Sequence, residues 1–577
     1  MGAYENRAWL ELYPEWTPHS LNYDDTTLAD LFDGAVTRYS HRPAVYFMGA
    51  QLSYAQLDER VRRFAAGLRA LGVRRGDRVA IVLPNCPQHV IAFYACQKIG
   101  ATVIEHNPLY TAHELRGPFE DHGAQVAIFW DKAAPVAQEL RQTTNLETII
   151  SVNMIEAMPL LKRTMLKLPI PKVAAMRAQL SKFAPNTIAF SSVEGDACGG
   201  DGRDVVTDPQ ISADDVALIL YTSGTTGQPK GAQLTHRNLV ANCNQGLAWV
   251  PNLGDEAERL LGALPFFHAY GLTMVLTLSL LVGGEMVLLP TPRIDLILDL
   301  MKKHPPTWLP GVPPLYEKII EGAEEKGVSL LSVRNAFSGA STLPVSTVKK
   351  WEDATHGRLV EGYGLTETAP VALGNPMDGN HRPGYVGLPF PDTEVRIANP
   401  DNLDETMPDG EPGEVLLRGP QVFKGYLNNE AETARAFHGD WFRTGDMGVQ
   451  EPDGFVRLVS RIKEIIITGG FNVYPAEVEE VLTDHPDIED ASVVGLECSD
   501  GSEKVVAAIT LREGARLDPE GLRDYSRTML TRYKVPRAFY HYDELPRDQM
   551  GKVRRRDIQT LLMETLQEAG TTPDDIH

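Results

Sequence analysis

The chain has 577 residues, with 77 Asp and Glu against 55 Lys and Arg, a formal charge of −22. Hydrophobic residues make up 43% and charged residues 23%, which fits a folded globular protein and excludes a disordered one. The acidity argues against a general nucleic-acid binder, which needs a basic footprint, and the length allows several domain-sized units.

The first two hundred residues alternate between helix and strand. Residues 55–71 carry apolar side chains at helical spacing, and Gly72 and Gly76 then break the pattern. A buried strand is predicted over 79–83, a helix over 90–99 ending at Gly100, and a strand over 101–104. This alternation predicts a mostly parallel sheet with helices on its faces.

Residues 151–190 depart from it. Lys162, Arg163, Lys167, Lys172, Arg177 and Lys182 stand against Glu156 alone, a net of +5. Met158, Leu160, Leu161, Met165, Leu166, Leu168 and Ile170 are interleaved with them. Such a segment can lie on an anionic membrane surface, apolar side down. The alternative is a helical insertion packed on the body with solvated lysines. The apolar stretch 269–284 is too short and too glycine-bounded for a convincing membrane span.

An apolar strand over 216–220 runs into Tyr221-Thr-Ser-Gly-Thr-Thr-Gly-Gln-Pro-Lys-Gly231. Thr222, Ser223, Gly224, Thr225, Thr226, Gly227 and Lys230 supply backbone N–H groups, hydroxyls and an ammonium, the groups that hold polyphosphate oxygens. The spacing is not that of the Walker A loop. Beyond about residue 464 a small α/β unit is expected. It has helices at 475–482 and 517–530 and strands at 491–495, 505–511 and 539–542. The charged stretch 460–464 before it suits a hinge.

Five cysteines (Cys86, Cys96, Cys198, Cys243 and Cys498) are widely spaced with no CxxC or His-Cys cluster. No disulfide framework or zinc site is expected, and a reducing, cytoplasmic setting fits best. No secretory signal is visible.

Further motifs follow: Pro265-Phe-Phe-His-Ala-Tyr-Gly271, Phe337-Ser-Gly-Ala-Ser341, Glu361-Gly-Tyr-Gly-Leu-Thr-Glu-Thr368, Trp441-Phe-Arg-Thr-Gly-Asp446, Arg461 with Gly469-Gly470, and Pro546-Arg-Asp-Gln-Met-Gly-Lys-Val553. In this order, over roughly residues 27–556, the chain resembles the adenylate-forming enzymes: acyl-CoA synthetases, firefly-type luciferases and peptide-synthetase adenylation domains. The resemblance implies an α/β fold. A large N-terminal body of parallel and mixed sheets (residues 1–460) would be followed by a hinge (461–464) and a small mobile α+β lid (465–577).

The resemblance also implies site roles. The 222–230 loop, Gly339, Ala340, Ser341, Glu361, Gly362, Tyr363 and Gly364 would bind ATP or AMP, with the Tyr363 ring on adenine. Thr366 would lie near the α-phosphate, and Glu367 would hold Mg²⁺, a hard ion that prefers oxygen ligands. Asp446 would accept from both ribose hydroxyls, and Arg461 would contact ribose or phosphate. Lys463 would be the pivot, and Gly469, Gly470 and Phe471 would pass the pantetheine arm of coenzyme A. Lys552, after the flexible Gly551, would bridge the carboxylate and α-phosphate and stabilise the charge that develops there. Arg547 and Met550 replace the lysine and small residue expected in that loop, and neither removes the catalytic ammonium.

Phe267, His268, Gly271, Trp308, Gly311 and Val312 would line the acyl pocket, with the glycines leaving space. An uncharged pocket suits an apolar acid. The closest resemblance is to bacterial medium- or long-chain fatty acid–CoA ligases. Aryl ligases of the coumarate type and enzymes loading a separate carrier protein share the same catalytic motifs. The expected substrates are an apolar carboxylic acid, ATP and coenzyme A, and an oligomer is left open.

Overall fold

The computed structural model describes residues 2–195, 207–208, 210–222, 229–468, 471–499, 503–548 and 551–576; of Phe471 and Asn472 it describes the backbone. Ser223, Gly224, Thr225, Thr226, Gly227, Gly469, Gly470, Met550 and Cys198 lie outside these residues. The chain forms two units. The larger comprises Leu10–Glu394 and Leu417–Phe442; the smaller comprises Met1–Trp9, Val395–Leu416 and Arg443–His577.

Two sheets build the larger unit. In the first, the strands run in the order Gly425–Tyr426, Lys230–Thr235, Val216–Thr222, Thr102–Glu105, Arg78–Val82, Val126–Trp130, Thr148–Val152 and Ile188–Ala189. All pairings from Val216–Thr222 to Ile188–Ala189 are parallel, and Lys230–Thr235 and Gly425–Tyr426 continue the sheet antiparallel. The second sheet has a parallel centre: Pro43–Phe47, Glu285–Leu288, Arg259–Gly262, Trp308–Gly311, Asn335–Ser338 and Arg358–Gly364. Antiparallel strands cap its two edges. The alternation read from the sequence thus produces βα crossovers, which bury strands on both faces and require near-continuous apolar runs such as Val79–Val82.

The helix predicted at 90–99 spans Pro87–Lys98, three residues earlier, because Pro87 takes the first helical turn, where its missing N–H costs nothing. All its residues are buried. The segment Ala269–Val282 is likewise buried almost throughout. It breaks into a short α-turn, a π-helical stretch Leu272–Thr277 and the α-helix Leu278–Val282. No helix among the described residues is long and apolar enough to cross a membrane.

The smaller unit contains a mostly antiparallel sheet with Glu394–Asn399, Asn402–Thr406, Gly413–Arg418, Trp441–Gln450 and Val456–Arg461. A three-stranded sheet follows. Ile488–Glu497 pairs antiparallel with Glu503–Leu511, which pairs parallel with Ala538–His541. Period-two alternation sends Val493, Val505, Ala507 and Ile509 to one face, against Val478, Leu482 and Leu522. Val494, Leu496, Val506 and Ala508 pack on the other face against Ile558, Leu562 and Leu566. Each of these faces therefore has its own core, as a small sheet covered on both sides needs.

Candidate active site

In each sheet of the larger unit the parallel strands point one way, so the motifs that follow them gather along one edge. Thr222 ends the strand Val216–Thr222, while Pro265–Gly271 follows Arg259–Gly262. Val312 follows Trp308–Gly311, Gly339–Ser341 follows Asn335–Ser338, and Thr366–Glu367 follows Arg358–Gly364. Carboxyl ends of parallel strands are where open α/β sheets bind ligands, because the strands stop there and the connecting loops diverge.

Thr222 and Lys230 face each other across the antiparallel pair that flanks the glycine-rich segment. The Lys230 ammonium pairs with Glu432 Oε2 at 2.5 Å and lies 4.9 Å from the centre of the Tyr426 ring. Tyr426 donates from its hydroxyl to Glu367 Oε1 at 2.8 Å. Glu367 is buried in the one-turn 3-10 helix Thr366–Thr368, and its carbonyl accepts from Phe423 N–H at 2.8 Å. Thr366 is half-buried at the start of that turn.

Glu361 pairs in register with Ser338, so the 339–341 and 361–364 segments leave adjacent strands side by side. Gly339 donates to Gly311 O at 3.2 Å. Ala340 is exposed and adopts φ 70°, the left-handed region that side chains rarely enter, a strain found at ligand sites. Ser341, Gly362 and Tyr363 are half-buried, and Gly364 is exposed. Glu361 is 6% exposed, and burial pushes its carboxyl up to about 8. Its Oε2 has no hydrogen-bond partner among the described residues.

The expected acyl-pocket residues divide. Phe267 and His268 are half-buried, and His268 Nδ1 accepts from Tyr270 N–H at 3.4 Å. Trp308 is 1% exposed, and its indole N–H is spent on Met274 O. Val312 is buried ahead of the helix Pro313–Lys326. The room expected at two glycines is taken. A Cβ on Gly271 would lie 2.4 Å from Pro265 O, and one on Gly311 would lie 2.8 Å from the Tyr316 ring.

In the smaller unit, Asp446 and Arg461 are partners across antiparallel strands, with Arg461 Nε 3.1 Å from Asp446 Oδ1. Asp446 is buried. Lys463 lies in the 3-10 turn Ile462–Glu464, and Phe471 begins the strand Phe471–Val473. Lys552 follows Gly551, whose φ of 77° favours glycine. Arg547 holds this turn: it donates to Gly551 O at 2.5 Å and pairs with Asp490. Burial and the Arg461 guanidinium lower the Lys552 ammonium below the usual lysine range, while Asp446 and Glu464 pull it back up. Arg555 is bound by Glu479 and Glu464.

The AMP-binding enzyme signature matches residues 32–427, more than half of the chain. The chain belongs to the AMP-binding enzyme family. The family's C-terminal domain matches residues 477–552. Relatives align over nearly their whole length. The long-chain-fatty-acid–CoA ligase of Bacillus subtilis is 37% identical over 96% of this chain and 97% of its own. The feruloyl-CoA synthase of an Amycolatopsis species is 34% identical over 90% of this chain and 96% of its own. Among solved structures of this AMP-binding fold, ATP-bound MatB from Rhodopseudomonas palustris superposes with a TM-score of 0.79 at 29% identity. That match covers 93% of this chain and 99% of the other.

Tyr426, Glu432 and Asn85 escaped the sequence motifs. Asn85 Nδ2 donates to Gly262 O at 3.0 Å and Leu264 O at 2.7 Å, and its Oδ1 accepts from Phe266 N–H at 2.8 Å. It thereby fixes the segment that carries Phe267 and His268. A polar residue three positions past the end of the buried strand Arg78–Val82 was the available signal.

Proposed function

We propose that the chain is an ATP-dependent fatty acid–CoA ligase. The observation that carries this is the full-length similarity to proteins of that name in an AMP-binding enzyme whose motifs collect at the carboxyl ends of parallel strands. The acid's carboxylate attacks the α-phosphate of ATP, giving acyl-AMP and pyrophosphate. The thiolate of coenzyme A then attacks the acyl carbonyl, and AMP leaves with the bonding pair.

The roles follow from the groups present. Lys552 supplies positive charge to the crowded α-phosphate, where fixed charge counts most. Asp446 receives the ribose hydroxyls, with Arg461 holding the carboxylate in place. Glu367 fits a divalent cation, since it is a buried oxygen donor whose orientation Tyr426 fixes. No group of three or more His, Cys, Asp or Glu among the described residues could hold a metal alone, so Mg²⁺ would take its other ligands from phosphate and water. Bound there, Mg²⁺ would neutralise phosphate charge. Residues 461–464 act as the hinge between the 1–460 body and the 465–577 lid. Gly469, Gly470 and Phe471 guide the pantetheine arm, and the protein works in the cytoplasm at a lipid surface.

The similarity to a feruloyl-CoA synthase favours an aryl acid as the second reading. Pyrophosphate release across fatty and aryl acids, with and without coenzyme A, separates the two. Turnover of long-chain acids that requires free coenzyme A supports the ligase. Preference for aryl acids, or for a carrier protein as acceptor, overturns it.

A further inference from the structure

The segment between the strands Thr148–Val152 and Ile188–Ala189 is a crossover at the outer edge of the first sheet. It contains the helices Leu160–Met165 and Pro171–Leu180. It is not a loose loop. Trp130 Nε1 donates to Leu180 O at 2.9 Å, and Lys132 Nζ donates to Gln179 O at 3.0 Å. Gln138 Nε2 reaches Pro185 O at 3.1 Å. Lys162 Nζ donates to Met48 O at 2.8 Å, in the hairpin at the edge of the second sheet. Met158 and Leu166 are buried beneath it.

Its exposed residues include a concentration of large apolar side chains. Leu160 and Leu161 are each 71% exposed and Phe183 is 86% exposed, with Met165, Leu168, Ile170, Met176 and Ile188 also open to water. These eight are nearly half of the seventeen exposed large hydrophobic residues among the described residues, gathered in a short stretch of chain. Scattered exposed leucines need no explanation; a concentration held by polar anchors to two sheet edges does. Lys162, Lys167, Lys172, Arg177 and Lys182 are exposed among them.

We propose that this crossover is a preformed docking face for an anionic lipid bilayer, with Leu160, Leu161 and Phe183 entering the acyl boundary and the lysines meeting headgroups. Charge selects this occupant. Two copies of the face would bring their basic residues together, whereas an anionic surface attracts them. The rest of the chain carries the balancing negative charge of an overall −22, so the same surface repels the body. The crossover is therefore the side that turns toward the bilayer. It lies five strand spacings from Val216–Thr222, about 24 Å along the sheet, so docking leaves that strand uncovered.

The face deepens the ligase reading by placing the enzyme where its apolar acid dissolves, but vesicle binding is measured without catalysis. Full-length protein is floated with vesicles of phosphatidylglycerol and phosphatidylcholine in equal parts, and with phosphatidylcholine alone. Binding should favour the anionic vesicles about tenfold and weaken at high salt. It should fall by about tenfold or more in the combined variant Leu160→Ser, Leu161→Ser, Phe183→Ser. It should also fall in Lys167→Gln, Lys172→Gln, Lys182→Gln. Both variants should melt like the parent and activate a water-soluble short-chain acid at the parent rate. Equal binding by parent and variants, or no binding by the parent, overturns the proposal. So does a parent dimer that ignores vesicles and is dispersed by the serine variant, which would assign the face to a second copy. Vesicle binding without fatty acid activation would sink the ligase reading alone.

Discussion

The hydroxyl of Tyr426 donates a 2.8 Å hydrogen bond to Glu367 Oε1, joining two residues that lie 59 positions apart. Burial and that carboxylate hold the phenol protonated far above its ordinary range, so it stays a donor. A hydrogen bond to a charged group contributes about 1.5–3 kcal/mol. Tyr426→Phe should therefore slow pyrophosphate formation about tenfold or more and move the Mg²⁺ half-saturation point upward. A magnesium titration superimposable on the parent's would remove Tyr426 from the site.

Lys552→Ala should reduce acyl-AMP formation about a thousandfold, while thioester formation from supplied acyl-AMP changes little. The charged amine is the working form, and burial and Arg461 lower its pKa. Adenylation should accordingly be lost as pH rises, at a lower pH than for an ordinary lysine. Asp446 opposes that lowering, so Asp446→Asn should move the alkaline limb further down. Single-turnover rates against pH read both effects; an unmoved limb would separate Lys552 from Asp446.

Glu361 has a raised folded pKa of about 8. Between the unfolded carboxylate range and that value, the native state binds more protons than the unfolded state, so its contribution worsens with rising pH and levels off above it. Glu361→Gln removes the titration. The variant's gain in melting temperature over the parent should be larger at pH 8 than at pH 5. A gain that is flat with pH would contradict the raised pKa.

Asn85→Ala leaves Gly262 O, Leu264 O and Phe266 N–H without their side-chain partner in the interior. Unfolding free energy should drop by about 2–4 kcal/mol, the cost of stranding buried polar groups. The segment that moves carries Phe267 and His268, so KM for the acid should rise while KM for ATP holds. Equal change in both constants would make Asn85 merely structural.

Much of the larger unit was legible because its strands are continuous apolar runs and its loops concentrate glycine and hydroxyl residues. Strand ends and motifs therefore coincide at Thr222, Gly339 and Thr366. What escaped depends on contacts between distant residues. Lys230 and Glu432 are 202 positions apart, and no local pattern marks glutamate as the lysine's partner.

The pocket residues were harder for another reason. An aromatic and a glycine suit both a cavity and a packed core, and at Trp308 and Gly311 the indole N–H and the Tyr316 ring serve packing. In the crossover, basic charge was readable from composition. The exposure of Leu160 and Phe183 required the anchors that fix which side faces water.

The central claim is that the acid's own oxygen bonds to the α-phosphate. Its most direct measurement uses a fatty acid labelled with ¹⁸O in both carboxylate oxygens, with ATP and coenzyme A, and mass analysis of the released nucleotide. The account predicts AMP carrying one labelled oxygen for each thioester formed, with unlabelled pyrophosphate. Unlabelled AMP, or label in inorganic phosphate beside ADP, would contradict it.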